Sequence, residues 1–166
     1  MNLWFVSNLV LRNSNFKFMD INNVKKLRED TGLSVMECKK AVEEEAGDFE
    51  KAMAILKAKE SILAAKKTGV ETREGLVEAY IHSNGKIGVL LELSCQTDFV
   101  ARNSDFKKLA RDLAMQIAAC DPADLETLLS QPFIKDASKT VGDLLQESIA
   151  KTGENIKVGR FSRFHI

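Results

Sequence analysis

Apolar residues change their spacing several times along the chain, and each change marks a different element. From residue 20 to 60 they recur at helical intervals. Ile21, Val24 and Leu27 form a first stripe that ends at Gly32, where a left-handed cap costs least. Ser34 with Glu37 three residues later is a capping box for a second helix, whose apolar face continues through Ala41 and Val42 until Gly47 interrupts it. Asp48 caps a third, with Phe49, Ala52, Met53 and Leu56 at i, i+3, i+4 and i+7. Three helices of about ten residues bury little surface, so 20–60 reads as a marginal helix-bundle domain. Residues 61–74 are charged and alanine-rich, with Lys66-Lys67 ahead of Gly69, and read as the continuing helix and a linker. An RNA-binding basic patch is the alternative there, although lysine pairs on alanine-rich helices ordinarily form solvated faces.

The period drops to two after Gly75. Residues 76–81 and 86–93 flank Ser83-Asn84-Gly85, and Asn-Gly marks a tight hairpin turn. The second strand is almost continuously apolar, which implies burial on both faces. Helical spacing returns with Phe106, Leu109, Leu113 and Ile117 along 104–120. Between strand and helix lies Thr97-Asp98-Phe99-Val100-Ala101-Arg102-Asn103. Thr97 suits an N-cap, Asp98 suits a first turn, and Ser104 suits the cap of the next helix. The stretch therefore reads as one helical turn on a corner that presents Asp98 and Phe99 outward, with Arg102 and Asn103 bracing it. The competing reading has Phe99 closing the core beneath the hairpin.

A turn or two of helix is expected over 124–129. Thr140 caps a further helix with Val141, Leu144, Leu145 and Ile149 on one stripe, closed by Gly153. A last strand from Asn155 has irregular phase, since Phe161 directly follows Arg160, and a bulge or an edge would explain it. The fold class is α+β. A three-helix domain precedes a small three-stranded antiparallel sheet backed by helices, with that core spanning 75–166.

Composition narrows the function by subtraction. Hydrophobic residues make up 45% and charged residues 29%, as in a folded globular chain. Lys plus Arg and Asp plus Glu each total 24, so no net charge draws the chain to nucleic acid, and shape should dominate partner recognition. Cys38, Cys95 and Cys120 are odd in number and widely spaced, which argues for a reducing compartment. With His82 and His165 the only imidazoles, a multi-histidine metal site is not expected. No phosphate loop, dinucleotide fingerprint or nucleophile elbow is present in the sequence. Glu43-Glu44-Glu45 is a charge run of the kind that marks a solvated helix face. No cofactor and no covalent catalysis are expected; the chain should act on a partner's equilibrium. Residues 1–18 carry Trp4, Phe5, Arg12 and Lys17 and no acid, which reads as a leader of transit type or as an upstream extension with little order.

Three blocks resemble the translation elongation factor Ts family. They are Thr97 to Asn103 following the Tyr80-Ile81-His82…Gly88-Val89-Leu90-Leu91-Glu92-Leu93 hairpin, Leu27 to Ala41, and Gln131-Pro132-Phe133 through Gly153-Glu154-Asn155-Ile156. The resemblance implies a guanine-nucleotide exchange factor for elongation factor Tu, which it would meet both GDP-bound and nucleotide-free. It implies a ubiquitin-associated-like fold for 20–60, whose second helix touches the partner's nucleotide-binding domain through Val35 and Met36, with Lys39 at the rim. At most one of Val35 and Met36 should face inward. His82 and Arg111 would lie toward the partner's barrel domains, and Thr97, Asp98, Phe99, Val100, Arg102 and Asn103 would form the contact near its Mg²⁺ and switch region. Neither nucleic acid nor a membrane is implied as a direct partner. The location implied is the bacterial cytoplasm, or an organelle if residues 1–18 are a transit peptide.

Longer family members carry a second core repeat that this chain lacks. A three-stranded sheet covered on one side leaves an apolar face open, and a two-fold pairing with an identical chain would cover it. Short relatives resemble this arrangement, some joined by a cysteine near the end. Ser162 stands at the corresponding place here, so a covalent link there is ruled out while a noncovalent dimer is expected.

Overall fold

A computed structural model describes residues 21–67 and 69–166; the leader or extension read over 1–18 lies outside them. Helices α1 (Ile21–Thr31), α2 (Val35–Glu44) and α3 (Phe49–Lys67) come first. Strands β1 (Glu74–Ile81) and β2 (Ile87–Cys95) form the hairpin, followed by α4 (Asp98–Arg102) and α5 (Ser104–Cys120). Then come α6 (Leu125–Ser130), β3 (Pro132–Phe133), β4 (Asp136–Thr140), α7 (Val141–Thr152) and β5 (Lys157–His165).

The helical unit closes around Leu27, Cys38, Ala41, Ala52 and Leu56, all fully buried. Its capping box forms as the residues require: the Glu37 amide donates to Ser34 Oγ at 3.3 Å and the Ser34 amide donates to Glu37 Oε2 at 3.2 Å. The third helix runs on to Lys67, well past residue 60, because no breaker precedes Gly69 and its second half finds a surface to pack on. That surface is α7. Ser61 Oγ donates to Gln146 Oε1 at 3.2 Å, and Ala150 of α7 joins the helical unit's core. A Cβ at Gly32 would strike the Lys151 side chain.

The main sheet has the order β1-β2-β5, antiparallel throughout, as the three-strand reading requires. Its inner face, with Val89, Leu91, Leu93 and Val158, packs on Phe106, Leu109, Leu113 and Ile117 of α5. Burial on both faces of β2 is not what the single chain shows. Its residues alternate, and Leu90 on the outer face is half exposed because no element covers that side. The irregular phase of β5 is a bulge, in which Gly159 and Arg160 together oppose Glu92, and this returns Phe161 to the inner face opposite Leu91. Glu92 clamps the bulge, accepting from the Arg160 amide at 3.2 Å and from its Nε at 3.1 Å. Gly75 is needed where β1 starts: its φ is +155° and a Cβ would collide with the Leu93 carbonyl.

The β3–β4 hairpin was not foreseen. It rests on Gln116, fully buried, whose Nε2 donates to the Pro132 carbonyl at 3.1 Å and whose Oε1 accepts from the Ile134 amide at 2.9 Å. Thr140 then opens α7 with a second capping box, in which the Asp143 carboxylate accepts from the Thr140 amide and hydroxyl, both at 2.8 Å, and is held below its usual range by them.

Glu60 lies in the α3–α7 seam, 6% exposed, and its Oε1 has no hydrogen-bond partner among the described residues. Desolvation pushes its carboxyl up, with Glu147 adding and Lys151, Lys57 and Lys139 opposing. A carboxyl raised in the folded state helps stability at low pH and loses that help as pH rises through its folded value. Glu60→Gln should therefore raise stability at neutral pH by roughly 1 kcal/mol. The gain should fade toward about pH 4, where Glu60 is itself protonated; urea unfolding at the two pH values reads it.

Candidate functional site: an aromatic corner

Helix α4 is a five-residue turn between β2 and α5, and its two faces differ. Val100 and Ala101 pack against the sheet–α5 core, while Phe99 points away from it and is 84% exposed. The ring therefore does not close the core beneath the hairpin. An apolar group of this size seldom stays in water without a use, since its burial is worth about 2 kcal/mol.

The corner is pinned from several directions. Thr97 has extended backbone (φ −128°, ψ 155°) and its side chain accepts from the Val100 amide at 3.5 Å. Asp98, the residue before Phe99, pairs with Arg102 one turn on, at 3.0 Å. Asn103, not Ser104, caps the next helix. Its backbone is extended (φ −63°, ψ 139°) and its Oδ1 accepts from the Asp105 amide at 2.8 Å, while its own amide closes α4 on the Val100 carbonyl at 3.0 Å. One residue at the junction thus ends α4 through its backbone amide and starts α5 through its side-chain oxygen. Beneath the turn, Cys95 Sγ donates to the Thr97 carbonyl at 3.2 Å; burial pushes that thiol up, and the nearby Glu154 carboxylate adds to the shift.

Glu154 is the residue that reading the sequence missed. Its Oε2 accepts from the Gln96 and Thr97 amides, both at 3.1 Å, and its Oε1 accepts from Thr97 Oγ1 at 2.7 Å. No local spacing announces a contact 57 residues away. Its signal in the sequence is its place in the Gly153-Glu154-Asn155-Ile156 block, directly after a helix-closing glycine.

The other expected contact residues are on different elements. Val35 and Met36 occupy the first turn of α2 and both face solvent, 47% and 71% exposed, because Cys38, Ala41 and Val42 fill the mini-core. Lys39 lies 3.8 Å from Glu43 on the same helix. His82 and Arg111 are brought together through Tyr80. Tyr80 Oη is 3.1 Å from His82 Nδ1, and the Arg111 guanidinium sits 5.1 Å over the Tyr80 ring and 3.0 Å from Glu78 Oε1. Among the described residues no group of three or more His, Cys, Asp or Glu could hold a metal ion. No helix among them is long and apolar enough to cross a membrane.

The two faces of α4 predict opposite responses to truncation. Phe99→Ala should change thermal stability by no more than about 0.5 kcal/mol. Val100→Ala removes packing from the partly buried face and should cost about 1 kcal/mol. Equal losses would mean that the ring is structural after all.

A family model described as Elongation factor TS matches residues 96–166, from the corner to the end of β5. The chain is 42% identical to Elongation factor Ts of Thermotoga neapolitana, with 86% of this chain and 94% of the relative covered. It is 44% identical to the protein of the same name from Carboxydothermus hydrogenoformans, covering 86% and 87% respectively. With the one from Fervidobacterium nodosum it shares 44% identity over 86% of this chain and 95% of the relative. These alignments span 186 to 188 positions, more than the 166 residues of this chain, so the relatives carry residues that have no counterpart here. At that level of identity over nearly the full length of the relatives, the chain belongs to the elongation factor Ts family.

Proposed function

We propose that the chain acts in translation elongation as the guanine-nucleotide exchange factor of elongation factor Tu, and that it does so without covalent chemistry. The observation that carries this reading is Phe99, held 84% exposed on a corner whose backbone is fixed from three sides. The ring enters an apolar crevice beside the partner's switch region. A GTPase holds GDP through its phosphate loop and a Mg²⁺ ion that insists on near-octahedral oxygen geometry and keeps its waters. A small displacement of that shell is costly, so a wedge next to it weakens the nucleotide. Asp98 stands beside the ring and perturbs the Mg²⁺–water network without having to ligate the ion. Arg102 and Asn103 hold the turn in shape, and Thr97 and Val100 anchor it.

Leverage needs more than one grip. Val35 and Met36, with Lys39 at their edge, meet the nucleotide-binding domain from a helical unit that we read as ubiquitin-associated-like. His82 and Arg111 face the barrel domains. Linkage then makes exchange factor and GDP mutual antagonists on the partner. An interface aromatic contributes about 2 kcal/mol or more, which is about thirtyfold in a release rate if it acts in the transition state. An adaptor for ubiquitin-like partners would use the helical unit alone and leave the corner without a purpose.

The outer face of the sheet supports pairing with a second copy. Val77, Ile81, Leu90 and Phe164 stand exposed on it, the last three lining a depression of about 390 Å³. A two-fold axis would set this face against itself and bury Leu90, giving β2 the second covered face that its composition calls for.

Stopped-flow release of fluorescent GDP from elongation factor Tu tests the exchange reading. The chain should accelerate release, and Phe99→Ala should lose at least tenfold of that acceleration. An unaltered rate in the variant would remove the wedge, and no acceleration by the native chain would remove the function. Sedimentation at micromolar concentration should show a dimer; a strict monomer would refute the pairing.

A further inference from the structure

We infer that Glu154 is a positioning residue for nucleotide exchange, and that α7 with its closing turn is the strut that sets the corner relative to the helical unit. This rests on the exchange reading above and adds to it the element that transmits force between the two grips.

The inference starts from where the Glu154 hydrogen bonds end. All three donors lie on Gln96 and Thr97, immediately before Asp98 and Phe99. A carboxylate accepting two backbone amides and a hydroxyl makes charge-assisted bonds, stronger than neutral ones. They fix the backbone at the one place where rotation would swing the ring. Glu154 in turn is fixed: Gly153 closes α7 in the left-handed region (φ 70°), and the Glu154 amide donates to Thr152 Oγ1 at 3.3 Å.

The same four-residue turn reaches the other grip. Asn155, buried, donates from Nδ2 to the Val70 carbonyl at 2.6 Å, just beyond the end of α3, and Ile156 enters the main core. Upstream on α7, Gln146, Ala150 and Lys151 meet Ser61, the helical core and Gly32 respectively. The turn 153–156 thus receives the helical unit on one side and holds the corner on the other. Without that strut, binding through Val35 and Met36 could not be turned into thrust at Phe99.

The prediction separates positioning from binding and from folding. In the GDP-release assay with the full chain, Glu154→Ala should lower the maximum rate by about tenfold, with little change in the half-saturating concentration. Glu154→Gln, whose amide oxygen can still accept from both backbone amides, should recover most of the rate. In a Phe99→Ala background Glu154→Ala should add little, because it acts through the ring. Amide exchange at Gln96 and Thr97, read by NMR, should quicken in Glu154→Ala while α5 stays protected. If Glu154→Ala does not fold, Glu154→Asp, a carboxylate one methylene short of the Gln96 and Thr97 amides, should show a loss of maximum rate in the same direction. Native rates in Glu154→Ala alongside a slow Phe99→Ala would overturn the inference alone. So would losses that multiply fully in the double variant. A native rate in Phe99→Ala would overturn the exchange reading itself.

Discussion

Packing of the partly buried Val100 and Ala101 against the sheet–α5 core decides which way the short helix α4 can turn, and the proposed wedge follows from that. On a helical turn the next residue round is carried about 100° away, so anchoring those two leaves Phe99 to face water. The exposure of an aromatic ring is unfavourable by itself. It persists because the alternative would pull two apolar groups out of a packed core and break the caps at Thr97 and Asn103. On the exchange reading, a ring carried on so fixed a backbone has little backbone freedom to lose on binding.

The architecture around the corner is asymmetric in a useful way. One face of the sheet is sealed by α5, whereas the other carries exposed apolar side chains interrupted by the Glu92–Arg160 clamp. The helical unit is not an appendage on a linker but rests on α7 through α3 and the Gly32 turn. Among the described residues, contacts of α3 with α7 and of the turn after α7 with the corner join the helical unit to Thr97.

Much of this was legible in the residues. The helix start at Ser34 was announced by a capping box and that at Thr140 by its cap, the hairpin by Asn84-Gly85, and a bulge or edge in β5 by Phe161 following Arg160 out of phase. These are local rules, and local rules can be read locally. Three features were not. The cap of α5 is Asn103 rather than Ser104, its side chain starting α5 while its backbone amide closes α4. Helix α3 continues past residue 60 as read, but the α7 surface it packs on is supplied only by tertiary structure. The contact of Glu154 with the corner joins segments far apart in sequence and carries no periodicity at all. Leu90 taught a further lesson: a continuously apolar strand states that both faces want covering, not that one chain covers them.

The central claim is that the Phe99 ring belongs in another molecule. Replacing Phe99 with photoreactive benzoylphenylalanine keeps an aromatic group on the corner and reports what it touches. Irradiated with elongation factor Tu bound to GDP, the protein should crosslink through position 99 to the partner's nucleotide-binding domain. Crosslinking back into its own chain, or no adduct with a partner that demonstrably binds, would contradict the account.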